Sequence, residues 1–337
     1  DHHEPAEVLP RAFAVIHPRR IDSDYPYPNL SGAGVAFKIA QGICIRAAHI
    51  DWVSALLKIA AIGTVADVVP LRGENRVIAS LGLEALTAGV HTKGLQALLE
   101  VSGLSGRRID SDDVSFRLAP RINAAGRMSS AEEAAKLLLS AGGSTTEACR
   151  ELAEHLDELN SRRREQERQV TKSACESIDA ESSETERSCH VVWSEDWHRG
   201  VIGIVASRLV ERFGRPAIVI TLDGEEAYGS GRSIPGFDLL GALDHSKDLL
   251  TQYGGHRQAV GLRLNSARIL EFRRHFESYV DKKLLSEDCV PRLQVDGELQ
   301  FASITPKFLR DLRLLEPYGV GNPRPVFVTS GVEIVDG

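Results

Sequence analysis

Methionine is almost missing from this chain of 337 residues: Met128 is its one example, and the sequence opens on Asp1 rather than on an initiator. Such an opening is expected either where something has been removed or where the chain is the middle of a longer gene product. Long apolar runs are missing as well. No stretch approaches the roughly 18 uninterrupted apolar residues that span a bilayer, and no charged-then-apolar leader opens the chain, so no membrane role is expected and a cytoplasmic location is. The cysteines (Cys44, Cys149, Cys175, Cys189, Cys289) form no C-x-x-C pair. This argues against a disulfide framework or a zinc knuckle and fits a reducing compartment. A G-x-S-x-G elbow, a Walker A loop and a G-x-G-x-x-G after a strand are all absent, which removes the usual acyl-transfer and nucleotide-loop chemistries. A basic surplus is lacking too: 40 Lys and Arg against 47 Asp and Glu give a net charge of -7. A whole-chain balance still leaves room for a local basic channel.

What is present is ordinary globular composition, 42% hydrophobic and 26% charged, at a length that suggests about two domains. Up to about residue 140 the pattern alternates between strand and helix. Arg11 to His17 reads as a short strand, Gly34 to Ile43 as a helix, and the apolar segment Trp52 to Val65 delivers Asp67 just before Pro70. Further helices are expected over Arg76 to Ala88 and Ala131 to Ser140. From Thr145 to Ile178 there is neither Pro nor Gly, so one long helix is expected, with Leu152, Leu156 and Leu159 on one side and a polar later half (SRRREQER) of the kind that bridges domains. A second α/β unit follows the Ser/Glu-rich stretch 179–188. After Pro291 the segments LQVDGELQF and PVFVTSGVEIVDG read as strands, with a helix over Thr305 to Leu314 between them.

Several clusters carry chemistry. Asp1, His2 and His3 place a carboxylate beside two imidazoles, donors that suit Mn²⁺ and related ions; an exposed terminus is the plainer alternative. Asp67 sits where a rigid element would hold it as a metal ligand, or as a simple cap. Arg121 to Arg127 (RINAAGR), Gly229-Ser230-Gly231-Arg232-Ser233 and Gly254-Gly255-His256-Arg257 each combine small residues with Arg or His. These are the materials for holding phosphate through backbone amides and guanidinium groups, although each alone also reads as a tight turn. Trp197-His198-Arg199-Gly200 precedes a helix from Val201 to Phe213, whose N-terminus and Arg208 could face an anion.

Taken in order, DHHEPAEVLP, LSGAGVAFKIAQ, IGTVADVVPL, PRINAAGR, WHRGVIGIVASRLVERFGRP, GSGRS, GGHRQAVGL and EPYGVGNPRPVF resemble the DHH phosphoesterase superfamily, in its RecJ-like branch. The resemblance spans essentially the whole chain. It implies an α/β fold with residues 1–144 as the later part of a DHH catalytic domain, 145–180 as a connecting helix, 189–286 as a DHHA1 domain, and 291–337 as the start of an OB-fold.

The function it implies is a 5′→3′ exonuclease that hydrolyses single-stranded DNA to 5′-mononucleotides in recombination and repair. Two divalent ions, Mn²⁺ or Mg²⁺, would activate water and neutralise phosphodiester charge. By the resemblance, His2, His3 and Asp67 are metal ligands and Asp1 is their supporting carboxylate. Arg121, Arg127, Arg208, Gly229, Ser230, Arg232, Gly254, Gly255 and His256 would contact nucleic acid. A monomer is expected, with a single-strand-binding protein and a helicase as candidate partners. Family members carry further metal-binding aspartates upstream of DHH, so the chain by itself is expected to be inactive. His17 stands where Asn is usual, and Val260 where Ala is commoner. Two other readings share the DHH and GGH signatures: an enzyme of very short RNA or cyclic dinucleotides, and a non-catalytic replication scaffold.

Overall fold

The computed structural model describes residues 5, 8–140, 144–181, 187–284, 289–290 and 292–333. The chain divides into two compact units, residues 1–159 with 294–337, and residues 160–293. Among the described residues no helix is long and apolar enough to cross a membrane.

The first unit is built from helices: α1 (Gly32–Arg46), α2 (Asp51–Ala66), α3 (Gly73–Thr87), α4 (Lys93–Val101), a single turn α5 (Ser111–Asp113), α6 (Ala119–Met128), α7 (Ala131–Leu138) and the first part of α8 (Thr146–Glu181). Their starts are marked by side chains that accept otherwise unpaired amides. Ser31 takes the N–H of Gly34, Thr92 that of Leu95 and Ser130 that of Glu132, while Asp110 and Asp113 form a reciprocal capping box. Leu98, Leu118, Leu137 and Leu156 are fully buried in the core that results. Each such burial stabilises by about 1.5–3 kcal/mol. α8 shows how one helix serves two cores. Cys149, Ala153, Leu156 and Leu159 enter the first unit's core, and Val170, Ala174 and Ile178 enter a core of the second. The spacing of three and four keeps each set on one face.

The second unit contains β1 (His190–Ser194), α9 (Ile202–Phe213), β2 (Ala217–Asp223), β3 (Glu226–Arg232), α10 (Leu239–His245), β4 (Gln252–His256), β5 (Ala259–Asn265) and α11 (Ile269–Lys283). Its sheet runs in the order β1-β2-β3-β5-β4, parallel only between β1 and β2, where α9 makes the crossover. One face is covered by α10 and α11 through Leu239, Phe272, Phe276 and Val280. The other is covered by α8 and α9, whose core partners on the sheet are Val192 of β1 and Ala217 and Val219 of β2. On that side the helices leave β5 and β4 open, and Gly254, His256 and Gly261 are exposed. The tail adds β6 (Gly297–Glu298), α12 (Pro306–Arg313) and β7 (Phe327–Val328) to the first unit, with β6 and β7 paired in parallel.

The mixed α/β class agrees with the sequence, and four local expectations are corrected. Arg11 to His17 forms no strand; Phe13 is fully exposed and Ile16 largely so, and among the described residues no strand pairs with them. Among the described residues, LQVDGELQF and PVFVTSGVEIVDG each contribute a two-residue strand, the last four residues of the second segment lying outside the described ones. RINAAGR lies within α6 rather than in a turn. GSGRS lies along β3, an inner strand, where the ladder partners of Gly229 are Ile220 and Leu262.

Candidate nucleic-acid interface

Asp67 ends α2, its N–H bonded to the carbonyl of Gly63 at 3.0 Å and its side chain exposed. The next residue, Val68, has φ of 59°. A β-branched residue at positive φ is strained by about 1–3 kcal/mol, a cost that only a well-fixed surrounding sustains. That surrounding is visible. Ser31 and Thr64 hydroxyls pair at 2.8 Å beneath the loop, Asn75 donates to the carbonyls of Asn29 and Pro70, and Leu71 N–H donates to Val320 at 2.7 Å. Arg72 adds a bond to the carbonyl of Gly321 at 2.8 Å. Asp67 is therefore a hard oxygen donor on a fixed loop, suited to Mn²⁺ or Mg²⁺. Asp1, His2 and His3 lie outside the described residues, and among those described no three potential ligands cluster.

Three of the four arginines proposed from sequence part company. Arg121 points back into its own unit, pairing with Asp157 of α8 at 2.8 Å and donating to the carbonyls of Arg117 and Val101, with its side chain only 16% exposed. Arg208 lies mid-helix in α9 rather than at its start, and it bonds Glu167 of α8 at 3.2 Å and Glu211 at 3.0 Å. Glu167 is also held by Arg163 at 2.6 Å. Both arginines are thus engaged by carboxylates of the fold, Arg121 largely buried and Arg208 with its side chain half exposed. Arg127 ends α6 and is exposed.

The remaining candidates meet on the open face of the second unit's sheet. Side chains alternate along a strand, so Ala227, Gly229 and Gly231 of β3 face the α10–α11 core. A side chain at Gly229 would strike Leu262 and Ile220, and one at Gly231 would strike Val260. Gly229 therefore serves packing, and its expected phosphate contact is withdrawn. Tyr228, Ser230 and Arg232 face the other way. Strand register then arranges this face in three rows. Arg232, Ala259 and His256 form the first, Ser230, Gly261 and Gly254 the second, and Tyr228, Arg263 and Gln252 the third. Nothing lies within 4 Å of where side chains at Gly254 and Gly261 would stand. The middle row is thus a side-chain-free trough beginning at Ser230, and its flanking rows are about 13 Å apart at 3.3 Å per residue.

The walls are polar and partly preorganised. Arg232 donates to the Ser230 hydroxyl at 3.1 Å and to the carbonyl of Gly231 at 2.8 Å. The start of α9 closes in on this pair, so that a Cβ at Gly203 would crowd it at 3.0 Å from Ser230 Oγ and 3.2 Å from Arg232 Nη2. Gly255, with φ of 140°, lets β4 turn close over Ala259. His256 Nδ1 accepts from the N–H of Gln258 at 3.2 Å.

In the third row Tyr228 donates to Glu226 at 2.5 Å, and Glu226 pairs with Arg263. The bond to that carboxylate pushes the Tyr228 phenol up, while the Arg263 bond, ahead of Tyr228's, pulls Glu226 down. Arg199 lies over the Tyr228 ring, 3.8 Å from its centroid. Sequence reading placed Arg199 beside a helix start but did not connect it to Tyr228 and Arg263. Only the strand register brings them together.

Residues 186–282 match the DHHA1 domain family and residues 295–337 the RecJ OB domain family. The chain is 38% identical over its whole length to the single-stranded-DNA-specific exonuclease RecJ of Bacillus subtilis, covering 42% of that protein. It is 34% identical to the Thermus thermophilus protein of the same name, with 98% of this chain and 46% of that one aligned. The crystal structure of Thermus thermophilus RecJ with Mn²⁺ superposes with a TM-score of 0.83 at 33% identity, over 98% of this chain and 47% of that one. A crystal structure of exonuclease RecJ bound to manganese gives 0.68 at 32% identity, over 86% of this chain and 71% of that one. The chain belongs to the RecJ family. It spans about half the length of the curated RecJ proteins it matches, between 42% and 59% of the first four. Within the RecJ frame, the trough falls in the DHHA1 match and Asp67 lies before it. Two RecJ structures of the same organism hold Mn²⁺ and Mg²⁺ respectively.

Proposed function

We propose that this chain is the part of a RecJ-type 5′→3′ exonuclease that grips single-stranded DNA and completes its metal site, in an enzyme releasing 5′-mononucleotides during recombination and repair. The observation that carries the proposal is the glycine-floored trough walled by Ser230, Arg232 and His256. Removing side chains lets a sugar–phosphate chain approach the sheet closely, and a guanidinium, a hydroxyl and an imidazole at its edge can donate to phosphate oxygens. Contacts of this kind position a strand without reading its sequence.

Asp67, with Asp1, His2 and His3, would hold the divalent ions, which when bound supply an activated water and neutralise developing charge. Asp67 meets this need by presenting its carboxylate from a loop fixed from both sides. Arg127 is retained as a backbone contact; Arg121 and Arg208 are assigned to the scaffold. The RecJ OB match and the 36-residue α8 favour this reading over an enzyme of very short RNA or cyclic dinucleotides. A monomer acting with a single-strand-binding protein and a helicase completes the proposal, and the 337-residue chain alone is expected to be inactive.

The test is hydrolysis of end-labelled oligonucleotides by the full-length protein with Mn²⁺. Release of mononucleotides from the 5′ end of single strands is expected. Preference for duplex or for 3′ ends would overturn the assignment, and mononucleotide release by the 337-residue chain would overturn its expected inactivity.

A further inference from the structure

Most arginines near the trough are spoken for by carboxylates or carbonyls, and Arg199 is different. It is exposed, and among the described residues its guanidinium enters no ion pair and no side-chain hydrogen bond. It is nevertheless held in place. The Tyr228 ring supports one of its faces at 3.8 Å, and that ring is itself fixed by its bond to Glu226, with Arg263 5.2 Å from its centroid. A cation over an aromatic face gains about 0.5–1 kcal/mol at an exposed site, enough to favour one orientation of a long side chain without consuming its hydrogen-bond donors. The result is a flat, charged surface in the loop after β1, on the same strand face as Ser230 and two residues further along β3 from it.

We propose that Arg199 offers its outer face as a stacking surface for a nucleobase of the strand lying in the trough, a role that rests on the single-strand reading given above. Guanidinium planes stack on unpaired bases much as aromatic rings do. The arrangement separates two tasks on one sheet face. Ser230, Arg232 and His256 meet the phosphates, and Arg199 on its Tyr228 support meets a base. Stacking on a plane is tolerant of base identity, in keeping with binding that does not read sequence.

The experiment measures binding of the 337-residue chain, with chelator present, to fluorescein-labelled oligothymidylate and to an abasic strand of equal length. Arg199→Lys keeps the charge and removes the plane, so affinity for oligothymidylate should fall about fivefold or more, the low end for one base stack, while the abasic strand stays within about twofold. The salt dependence should not change, because the number of cations is the same. Tyr228→Leu, which removes the ring and frees the guanidinium, should reproduce the base-dependent loss, whereas Tyr228→Phe, which keeps the ring and loses only its bond to Glu226, should lose less. Equal binding by Arg199→Lys and the parent chain would overturn the inference. So would an equal loss on both strands, which would make Arg199 a phosphate contact. Failure of the parent chain to bind oligothymidylate at all would sink the single-strand reading itself, and the inference with it.

Discussion

Gly203→Ala separates fold from function on this face. Gly203 is the second residue of α9, where alanine is the better helix former by about 0.5–1 kcal/mol. The added Cβ would stand 3.0 Å from Ser230 Oγ and 3.2 Å from Arg232 Nη2, against ordinary contact distances of about 3.5–4.0 Å. Both obstacles are ends of side chains, so they retreat by about 0.5 Å at little cost in stability. They are also the two groups assigned to the phosphate. A charge-assisted hydrogen bond is worth about 1.5–3 kcal/mol, so displacing one donor should weaken single-strand binding about tenfold or more. Thermal melting and fluorescence anisotropy on one preparation supply both readouts: a melting temperature equal to or above that of the parent, together with a clear loss of affinity. Unchanged affinity in a stable variant would refute the placement of the phosphate at Ser230 and Arg232. A loss of more than about 2 kcal/mol of stability would show that the wall is rigid and the reasoning about cheap displacement wrong.

Three further outcomes follow from the same geometry. Arg208→Ala should cost no more than about 1 kcal/mol, because the side chain it removes is half exposed, and should leave single-strand affinity unchanged; a severalfold fall in anisotropy titrations would restore Arg208 to the interface. Gly255→Ala places a Cβ 2.3 Å from the Ala259 carbonyl oxygen at φ of 140°, so urea unfolding should show a loss of about 2 kcal/mol or more. Burial first, and then the charge of Lys58, holds the His91 imidazole below its ordinary range. The folded state then binds fewer protons than the unfolded chain between that lowered value and about 6.5, so stability rises with pH through this window and is lost on acidification. Melting temperatures between pH 5 and pH 7 should show this slope, and His91→Gln should flatten it; an unchanged slope would assign the dependence elsewhere.

Elements governed by local rules were legible in the sequence. The helical spacing over Arg76 to Ala88 and the Pro- and Gly-free run that becomes α8 act over neighbouring residues, so the order of letters carries them. What was not legible depends on partners. Arg11 to His17 has strand composition but, among the described residues, no neighbouring strand to pair with, and composition alone cannot supply one. RINAAGR looked like a turn because of its glycine, yet Gly126 falls near the end of α6, where the loss of helix propensity costs about 1 kcal/mol or less and packing decides.

The site shows the same division more sharply. Glycines in GSGRS and GGHR suggested amides cradling phosphate, which is a statement about backbone. Strand register assigns them other tasks: Gly229 and Gly231 make way for Leu262 and Val260 on the core side, while Gly254 and Gly261 leave the opposite side bare. Two glycines one residue apart in sequence and two glycines facing each other across β4 and β5 are indistinguishable as letters. They become opposite features only when pairing fixes which face each one occupies, since a shift of one residue would exchange the faces. Arg208 shows the same dependence on partners. Its neighbours in sequence suggest an anion, whereas the fold sets it against Glu167, distant in sequence on α8. A basic residue in a family-like block is evidence for a ligand only after the carboxylates that fold against it have been counted. By that count Arg232, hydrogen-bonded to Ser230 at the trough, and Arg199, stacked on the Tyr228 ring, are the arginines of this face proposed to meet a nucleic acid.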